Sequence, residues 1–191
     1  MKKSAIIGIV IAVLLLLFIG KGVGSYNGLV TMEESVDAQW SQVENVYQRR
    51  LDLIPNLVNT VKAYAAHEQE TLQAVVEARA KATQTNVTSD NIAQFQENQA
   101  ALSSALSKLM VVVEKYPDLK ANQNFMQLQS QLEGTENRIA TERRRYNEAA
   151  KTYNAQIRKF PVVIIANMTG FDKKDYFEAD KAAETAPEVN F

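Results

Sequence analysis

The sequence predicts an all-α protein with one N-terminal transmembrane helix, followed by an antiparallel, up-down bundle of three to four long helices. Three observations support this prediction. An apolar run near the N-terminus approaches the length of a membrane span. Apolar residues recur every seven positions along two long stretches, as in helices that pack on other helices. The 191 residues include only 7 glycines and 4 prolines, and both residues destabilise helix interiors.

The N-terminal segment is assigned first. An apolar run covers Ala5 to Ile19 and, extended to Val23, reaches the short end of the ~17–25 residues that span a bilayer. A basic start before an apolar core also fits a cleaved secretory signal. An uncleaved anchor is favoured, because Lys21 lies where cleavage would occur and the core is longer than export requires. Residues 1–25 are therefore predicted to be a signal-anchor or transmembrane segment, joined to the domain by a flexible glycine-rich hinge, Gly20 to Gly28.

Membrane orientation depends on few charges. Lys2 and Lys3 precede the apolar run, and Lys21 alone follows it before Arg49. Positive charge favours the cytoplasmic side. A margin of one lysine therefore predicts a cytoplasmic N-terminus and a bundle outside.

The first long helix of the bundle is predicted from Tyr26 to Tyr64, where two seams of apolar residues interleave. Arg50 occupies a seam position, and Pro55 interrupts the backbone hydrogen bonds five residues later. We expect the helix to continue through Pro55 with a kink, because the apolar seams continue on both sides. The first seam contains Leu29, Val36, Val43, Leu57 and Tyr64, and the second contains Trp40, Tyr47, Ile54 and Val61.

A charge at a seam position needs a partner, because an unpaired buried charge is costly. If the first and last long helices run antiparallel, Arg50 comes level with Glu142, and Glu136 is the second candidate. We expect one of these carboxylates to pair with Arg50 and to fix the register of the two helices.

The remaining helices follow from seams and stop signals. The seams fail at Ala65 to Glu70, which slightly favours a turn over one unbroken helix about 90 Å long. A helix after the polar loop Thr83–Asn91 stops before Pro117. The last long helix starts near Asn122 and ends before Pro161. Residues 26–160 thus form the predicted bundle. The last helix carries apolar residues every seven positions, at Phe125, Leu132, Ile139, Tyr146, Tyr153 and Phe160.

Residues 161–191 form a tail that is too apolar to be solvated. The β-branched run from Val162 to Ala166 predicts an extended segment, and Lys173 to Thr185 predicts a short helix. We expect the tail to dock on a bundle, either its own or that of a neighbour; exchange between copies would produce a homo-oligomer. A free carboxyl terminus at Phe191 would instead resemble the peptides that PDZ-type grooves bind.

No catalytic, cofactor-binding or metal-binding residue is predicted. The net charge of −1 argues against nucleic acid as a partner. The chain has no cysteine and a single histidine, His67, which is too few for a zinc-protease HExxH motif or a di-iron bundle site.

Several motifs together resemble the LemA family. They are Arg49–Val58 with Pro55 inside it, His67-Glu68, Glu77–Ala80, Tyr116–Ala121, Thr135–Ala140, Arg144–Asn147 and Tyr153-Asn154. The resemblance covers nearly the whole chain. It implies a bacterial membrane protein with one N-terminal span, an antiparallel helical bundle and no established catalytic residues. Some descriptions of the family place the N-terminus outside the cell, contrary to the lysine bias.

These features predict a non-enzymatic scaffold or protein-interaction role in the bacterial cell envelope. The expected location is the inner membrane, with a single span and an extracytoplasmic bundle. The expected partners are a second copy of the chain and other membrane or envelope proteins. A hydrolase or a ligand sensor with an unrecognised site in the bundle is the alternative. The candidate structural and interaction residues are Arg49, Arg50, Asp52, Pro55, Glu136, Glu142 and Phe191.

Overall fold

A computed structural model describes residues 3–84 and 91–178 of the protein. These residues form helices and connecting segments, with no strand among them, which confirms the all-α prediction. The helices are α1 (Lys3–Tyr64), α2 (Gln69–Gln84), α3 (Ile92–Val113), α4 (Pro117–Lys120), α5 (Gln123–Ile157) and α6 (Val162–Thr169).

The chain divides into two compact units. The anchor unit combines Met1–Gln39 with Glu148–Lys174, and the bundle unit combines Trp40–Asn147 with Asp175–Phe191. Helices α1 and α5 each contribute residues to both units. The proposed division of the chain at residues 25 and 160 remains a prediction.

The predicted glycine hinge is wrong, because α1 continues without interruption through Gly20 to Gly28. Glycine costs a helix only about 1 kcal/mol per residue, and it keeps the N–H that the helix hydrogen bonds require. No other part of the described structure packs against these glycines. The apolar run and the predicted first bundle helix belong to one continuous helix, α1.

Pro55 lies inside α1, and the predicted continuity of the helix through it is confirmed. Proline removes one hydrogen bond and costs about 3 kcal/mol in a helix interior. The neighbouring side chains Leu51, Ile54, Leu57 and Val58 are all buried in the bundle core. Their packing offsets the cost that the proline imposes.

Four helical segments pack in the bundle unit, and their contacts give their directions. The Asn122 amide donates to the Tyr64 hydroxyl at 2.9 Å, and Arg50 contacts Glu136, so α5 runs antiparallel to α1. Arg79 on α2 donates to the Leu51 carbonyl at 2.9 Å. Because Ala65 to Glu68 form a turn, α2 also returns antiparallel to α1, and the predicted break there is confirmed.

Helix α3 runs in the same direction as α1. Phe95, near its start, contacts Tyr47 with ring centroids 4.6 Å apart, and Ser103 accepts a hydrogen bond from Arg50. The bundle unit is therefore an up-down-up-down arrangement of four helical segments. An apolar cluster joins all four segments and includes Ile54, Leu57, Val61, Leu72, Val75, Leu102, Leu109, Leu119 and Phe125.

The seven-residue series of α5 is buried from Phe125 to Tyr153. It ends sooner than predicted: α5 stops at Ile157, and Phe160 is 83% exposed. The Lys159 N–H bonds back to the Gln156 carbonyl at 3.1 Å, a three-residue step that tightens and ends the helix. Phe160 therefore leaves the seam to which the sequence pattern assigned it.

Residues 162–166, predicted to be extended, form the start of α6 instead. Val162 and Ala166 are buried on one face of this helix, and this packing overrides the weak helix propensity of β-branched residues. Gly170 ends α6 in the left-handed conformation, with φ of 79°. The N–H groups of Gly170 and Phe171 both donate to the Ala166 carbonyl, a common helix C-cap.

The short helix predicted over Lys173–Thr185 is absent from its described part, because residues 171–178 have no regular secondary structure. The side chains that hold this segment are described below. The remainder of that predicted helix and the terminal Phe191 lie outside the described residues.

Candidate functional site

An aromatic socket in the bundle unit encloses the side chain of Phe177. The Trp40 ring stacks on Phe177 at 5.7 Å with an interplanar angle of 13°. Tyr146 and Phe95 approach the same ring edge-on, with centroid distances of 5.4 and 6.4 Å. The Arg143 guanidinium lies 5.2 Å from the centroid of the ring. Aromatic pairs of this geometry contribute about 0.5–1.5 kcal/mol beyond the burial of their area.

An amide clamp, formed by Asn147 and Gln96, holds the backbone beside Phe177. The Asn147 side chain donates to the Phe177 carbonyl and accepts from the Phe177 N–H, both at 2.9 Å. Gln96 makes the same pair of hydrogen bonds with Glu178, at 3.0 and 3.2 Å. Two helix side chains thus satisfy an extended segment as a neighbouring strand would.

Two further side chains bond to the carbonyls of this segment. The Tyr146 hydroxyl donates to the Asp175 carbonyl at 3.1 Å, and Arg143 donates to the Glu178 carbonyl at 2.6 Å. The backbone of residues 175–178 is therefore held by side chains from α3 and α5. This hydrogen bonding explains why the described part of the predicted helix is extended.

The anchor unit contains a similar pair of hydrogen bonds at Lys174. The Asn154 side chain donates to the Lys174 carbonyl at 2.8 Å and accepts from its N–H at 2.9 Å. Lys174 also forms an ion pair with Glu33 on α1 at 2.9 Å. Its ammonium lies 6.0 Å from the centroid of the Tyr153 ring.

Tyr153 is fully buried in the anchor unit, and its hydroxyl has no hydrogen-bond partner among the described residues. Burial, together with the negative charges of Glu33, Asp172 and Asp37, raises the pKa of this hydroxyl to about 12. Tyr153 therefore remains neutral far above physiological pH.

The predicted pairing of Arg50 is confirmed, but with Glu136 instead of Glu142. Arg50 is 3% exposed, and its Nε lies 2.9 Å from Oε1 of Glu136. This contact is an ion pair, but its geometry is not that of a hydrogen bond. A second guanidinium nitrogen donates to the Ser103 hydroxyl at 2.8 Å, so α1 is linked to both α3 and α5. The Glu136 side chain is 47% exposed, so water also solvates its carboxylate.

A polar pocket adjoins this ion pair in the bundle unit. Its volume is about 60 Å³, enough for a few water molecules. Gln99 lines the pocket and is 4% exposed, yet neither its amide nitrogen nor its carbonyl oxygen has a partner among the described residues. The other lining residues are Tyr47, Arg50, Gln96, Ala100, Ser103, Glu136, Ile139 and Arg143.

The other candidate residues are not brought together into one site. Arg49 and Asp52 are exposed on α1, and Asp52 accepts a hydrogen bond from Gln48 one turn away. Glu142 pairs with Arg145 on its own helix at 2.9 Å. Pro55 is partly exposed within α1. Phe191 lies outside the described residues.

Sequence reasoning missed the side chains of the clamp and the pocket. Asn147 and Asn154 each follow a buried tyrosine of the α5 seam and are seven residues apart, so both lie beside the seam. This spacing was the available signal. No sequence signal marks Gln96 or Gln99, because their roles depend on which residues the fold brings into contact with them.

The structure describes no cluster of side chains that could act together as metal ligands. Within residues 3–84 and 91–178, no group of three or more His, Asp or Glu residues could hold a metal ion. His67 is exposed in the turn between α1 and α2. The clamp and the socket recognise an extended backbone and one aromatic side chain.

Comparison with known proteins identifies the family. The model of the LemA family matches residues 39–191. The chain belongs to the LemA family. It is also similar to the magnetosome protein MamQ 2 of Paramagnetospirillum magneticum strain AMB-1, with 30% identity over 182 residues, which covers 84% of this chain and 67% of the relative.

Two further relatives support the same assignment. The magnetosome protein MamQ of Magnetospirillum gryphiswaldense strain MSR-1 is 29% identical over 182 residues, covering 84% of this chain and 67% of the relative. The protein LemA of Metamycoplasma hominis strain PG21 is 23% identical over 159 residues, covering 83% of this chain and 71% of the relative. The LemA-family resemblance inferred from the sequence motifs is thus confirmed.

Membrane association agrees with this family assignment. Among the described residues, only α1 is long and apolar enough to cross a membrane. Its apolar side chains are exposed to the surroundings of the protein, including Leu16 at 69% and Phe18 at 71%. A bilayer would cover these side chains, whereas water would leave a large apolar surface exposed.

Proposed function

We propose that this LemA-family protein is a membrane-anchored helical bundle with a non-enzymatic scaffold role in the bacterial cell envelope, and that it self-associates. The apolar part of α1 supports the anchor, and the relatives of the family support a membrane-associated role. The proposed location is the inner membrane, with the bundle on the extracytoplasmic side. The proposed partners are a second copy of the chain and other envelope proteins.

The amide clamp is the observation that carries this proposal. Asn147 and Gln96 bind the N–H and C=O groups of an extended segment, which every extended peptide offers. Phe177 adds selectivity, because its ring fills the aromatic socket. Recognition of an extended peptide by backbone hydrogen bonds together with a side-chain pocket is a general mode of protein interaction.

Self-association follows if the segment is exchanged between copies. Residues 175–178 of a second copy present the same backbone groups and the same phenylalanine to Asn147, Gln96 and the socket. Exchange of an identical element requires no new interface and is a low-cost route to oligomers. The membrane anchor favours this exchange, because it confines the copies to two dimensions and raises their effective concentration.

Engineered cysteines test the exchange directly, since the natural chain has none. A variant with both Gln96→Cys and Glu178→Cys should form a crosslink under mild oxidation, because these residues contact each other. If exchange occurs, co-expressed copies that carry one substitution each should form crosslinked dimers in the membrane. Copies with Gln96→Cys and Lys120→Cys, an exposed residue of α4, provide the matched control.

Mass in detergent, measured by light scattering, gives the second test. Deletion of residues 161–191 and the single substitution Phe177→Ala should both reduce the mass of the assembly. Tyr176→Ala changes the adjacent, more exposed ring and should leave the mass unchanged. Dimers in the control pair equal to those in the test pair, or an unchanged mass after the deletion, would refute exchange of the segment.

A ligand sensor is the second candidate function, and Gln99 is the observation that favours it. An amide that is buried without partners costs about 1–3 kcal/mol, and a bound polar molecule would recover this cost. Arg50 and Arg143 carry positive charge at the pocket and Glu136 carries negative charge, so a small monoanion is the expected ligand. Acetate should raise the melting temperature above that in chloride at equal ionic strength, and Gln99→Met should abolish this increase.

A further inference from the structure

Helix α6, in the anchor unit, has two faces of different character. Val162 and Ala166 are buried on one face. The opposite side forms an exposed stripe of Phe160, Ile164 and Met168, with exposures of 83, 47 and 80%. Ile164 and Met168 lie one helical turn apart on the same face, and Phe160 is exposed two residues before the helix begins. We call these three residues the α6 stripe.

The position of the α6 stripe relative to the membrane anchor follows from contacts within the anchor unit. Phe171, just after α6, packs on Tyr26 of α1 with ring centroids 5.5 Å apart. Tyr26 is three residues beyond Val23, where the apolar run ends, which corresponds to about 4.5 Å along the helix axis. The polar headgroup layer on each side of a bilayer is about 5–8 Å thick. In a bilayer that covers the apolar run up to Val23, Tyr26 would lie at headgroup level, where tyrosine is enriched.

The chain after Phe171 leads away from the apolar run. Lys174, three residues later, pairs with Glu33 on α1, which is seven residues beyond Tyr26. From Phe171 to Lys174 the chain runs along α1 in the direction away from the apolar run. Helix α6 precedes Phe171 and therefore lies at the end of this segment that is nearer to the apolar run. A bilayer that covers the apolar run would bring lipid close to an exposed apolar stripe at that end.

The basic residues near α6 also favour contact with a membrane surface. Arg158 and Lys159 are exposed immediately before the stripe, and Lys21 is exposed near the end of the apolar run. Lysine and arginine at the boundary of a membrane attract anionic headgroups, at about 1 kcal/mol per residue. Their long side chains also reach the headgroups from a position slightly deeper in the bilayer.

We propose that α6 is a second membrane contact, which lies in the bilayer interface beside the anchor with Phe160, Ile164 and Met168 inserted among lipids. This is the arrangement of an interfacial amphipathic helix. The inference rests on the proposed membrane anchoring by α1. A bilayer with anionic headgroups fits the stripe better than a second copy does, because residues 160–168 extend over only about 12 Å. A stable dimer covers about 800 Å² on each partner.

A fluorescent label at single cysteines tests this contact in the full-length chain. Met168→Cys would carry an environment-sensitive dye in vesicles of phosphatidylcholine and phosphatidylglycerol, with and without a lipid-attached quencher. Leu16→Cys in the apolar run and Ala155→Cys, at an exposed position of α5 in the same unit, serve as the bilayer control and the water control. Met168 is itself exposed, so the substitution should not disturb folding.

The expected result is a blue shift and a loss of fluorescence at position 168, with quenching close to that at position 16 and little quenching at position 155. Quenching at position 16 without quenching at position 168 would overturn the proposal for α6 and leave the anchor intact. A blue shift at position 168 without quenching would also overturn it, and would indicate contact with a protein. No quenching at position 16 would show instead that the proposed anchoring fails.

Discussion

Asn147 pairs with both backbone polar groups of Phe177, through hydrogen bonds of 2.9 Å in each direction. A helix side chain thus takes the place of a neighbouring β-strand. The adjacent Tyr146 contributes both to the aromatic socket and to a hydrogen bond with the Asp175 carbonyl. Two consecutive residues of α5 therefore hold both the backbone and the side chain of the C-terminal segment.

Replacement of Asn147 by alanine should release this segment from the bundle. The change removes two neutral hydrogen bonds, so the free energy of unfolding should fall by about 1–3 kcal/mol. Chemical denaturation of the full-length protein in detergent measures this loss, and cleavage by protease near residue 177 should accelerate. Asn137→Ala, at an exposed position of the same helix, is the matched control and should change stability by less than ~0.5 kcal/mol. Equal effects of the two substitutions would contradict the assigned role of Asn147.

Substitution of the two partners of the Arg50–Glu136 ion pair should reduce the free energy of unfolding by different amounts. Glu136→Gln leaves the Arg50 guanidinium buried without a carboxylate, and its cost should approach the lower end of ~3–5 kcal/mol. Arg50→Met should cost less, because methionine retains most of the buried volume and the half-exposed Glu136 regains water. Denaturation of both variants and of the double variant gives the coupling between them.

The control for the ion pair is Glu133→Gln, an exposed residue of α5 that accepts a hydrogen bond from Gln129. Loss of such a surface pair costs only about 0.2–0.5 kcal/mol. If Arg50→Met proved more destabilising than Glu136→Gln, the hydrogen bond to Ser103 or the packing of Arg50 would matter more than its charge.

Substitution of Gln99 by methionine should increase stability in the absence of ligand. Both polar atoms of the Gln99 amide lack partners among the described residues, so the change removes a desolvation cost of about 1–3 kcal/mol. Gln96→Met should have the opposite effect, because Gln96 holds the backbone of Glu178 through two hydrogen bonds. The two glutamines are one helical turn apart on α3. A clear loss of stability in Gln99→Met would mean that bound water or another group satisfies the amide.

Tyr153 should make the protein less stable in strongly alkaline solution. Its pKa is about 12 in the folded protein because of burial and nearby acidic groups, and about 10 in the unfolded chain. Between these values the unfolded chain releases the proton and the folded protein retains it, so stability falls as pH rises from about 10 to 12.

Denaturation of the wild type and of Tyr153→Phe at a series of pH values isolates this contribution. The phenylalanine variant should lose less stability over the alkaline interval. It should be about as stable as the wild type at pH 7, because the hydroxyl has no hydrogen-bond partner among the described residues. Parallel pH curves for the two proteins would show that Tyr153 does not titrate in this way.

Most of the helical architecture was predictable because its determinants are local. The seven-residue seams of α1 and α5, the polar linker between α2 and α3 and the stop before Pro117 are visible in the sequence itself. Helix packing requires an apolar stripe at a fixed period, so the sequence contains the pattern. The seams alone also identified Arg50 as a residue that needs an acidic partner.

Choices that depend on the register between distant residues were made only by the tertiary structure. Glu136 and Glu142 are six residues apart, about 9 Å along a helix, and the sequence pattern alone does not fix which one faces Arg50. The burial of Val162 and Ala166 decided that residues 162–169 form a helix, although their β-branched composition favours an extended segment. Asn147 and Gln96 decided that residues 175–178 are extended. By itself the sequence determined the long helices and the apolar N-terminal run, since periodicity is local. The pairing of side chains across long separations depends on the packed bundle, and only the fold determined it.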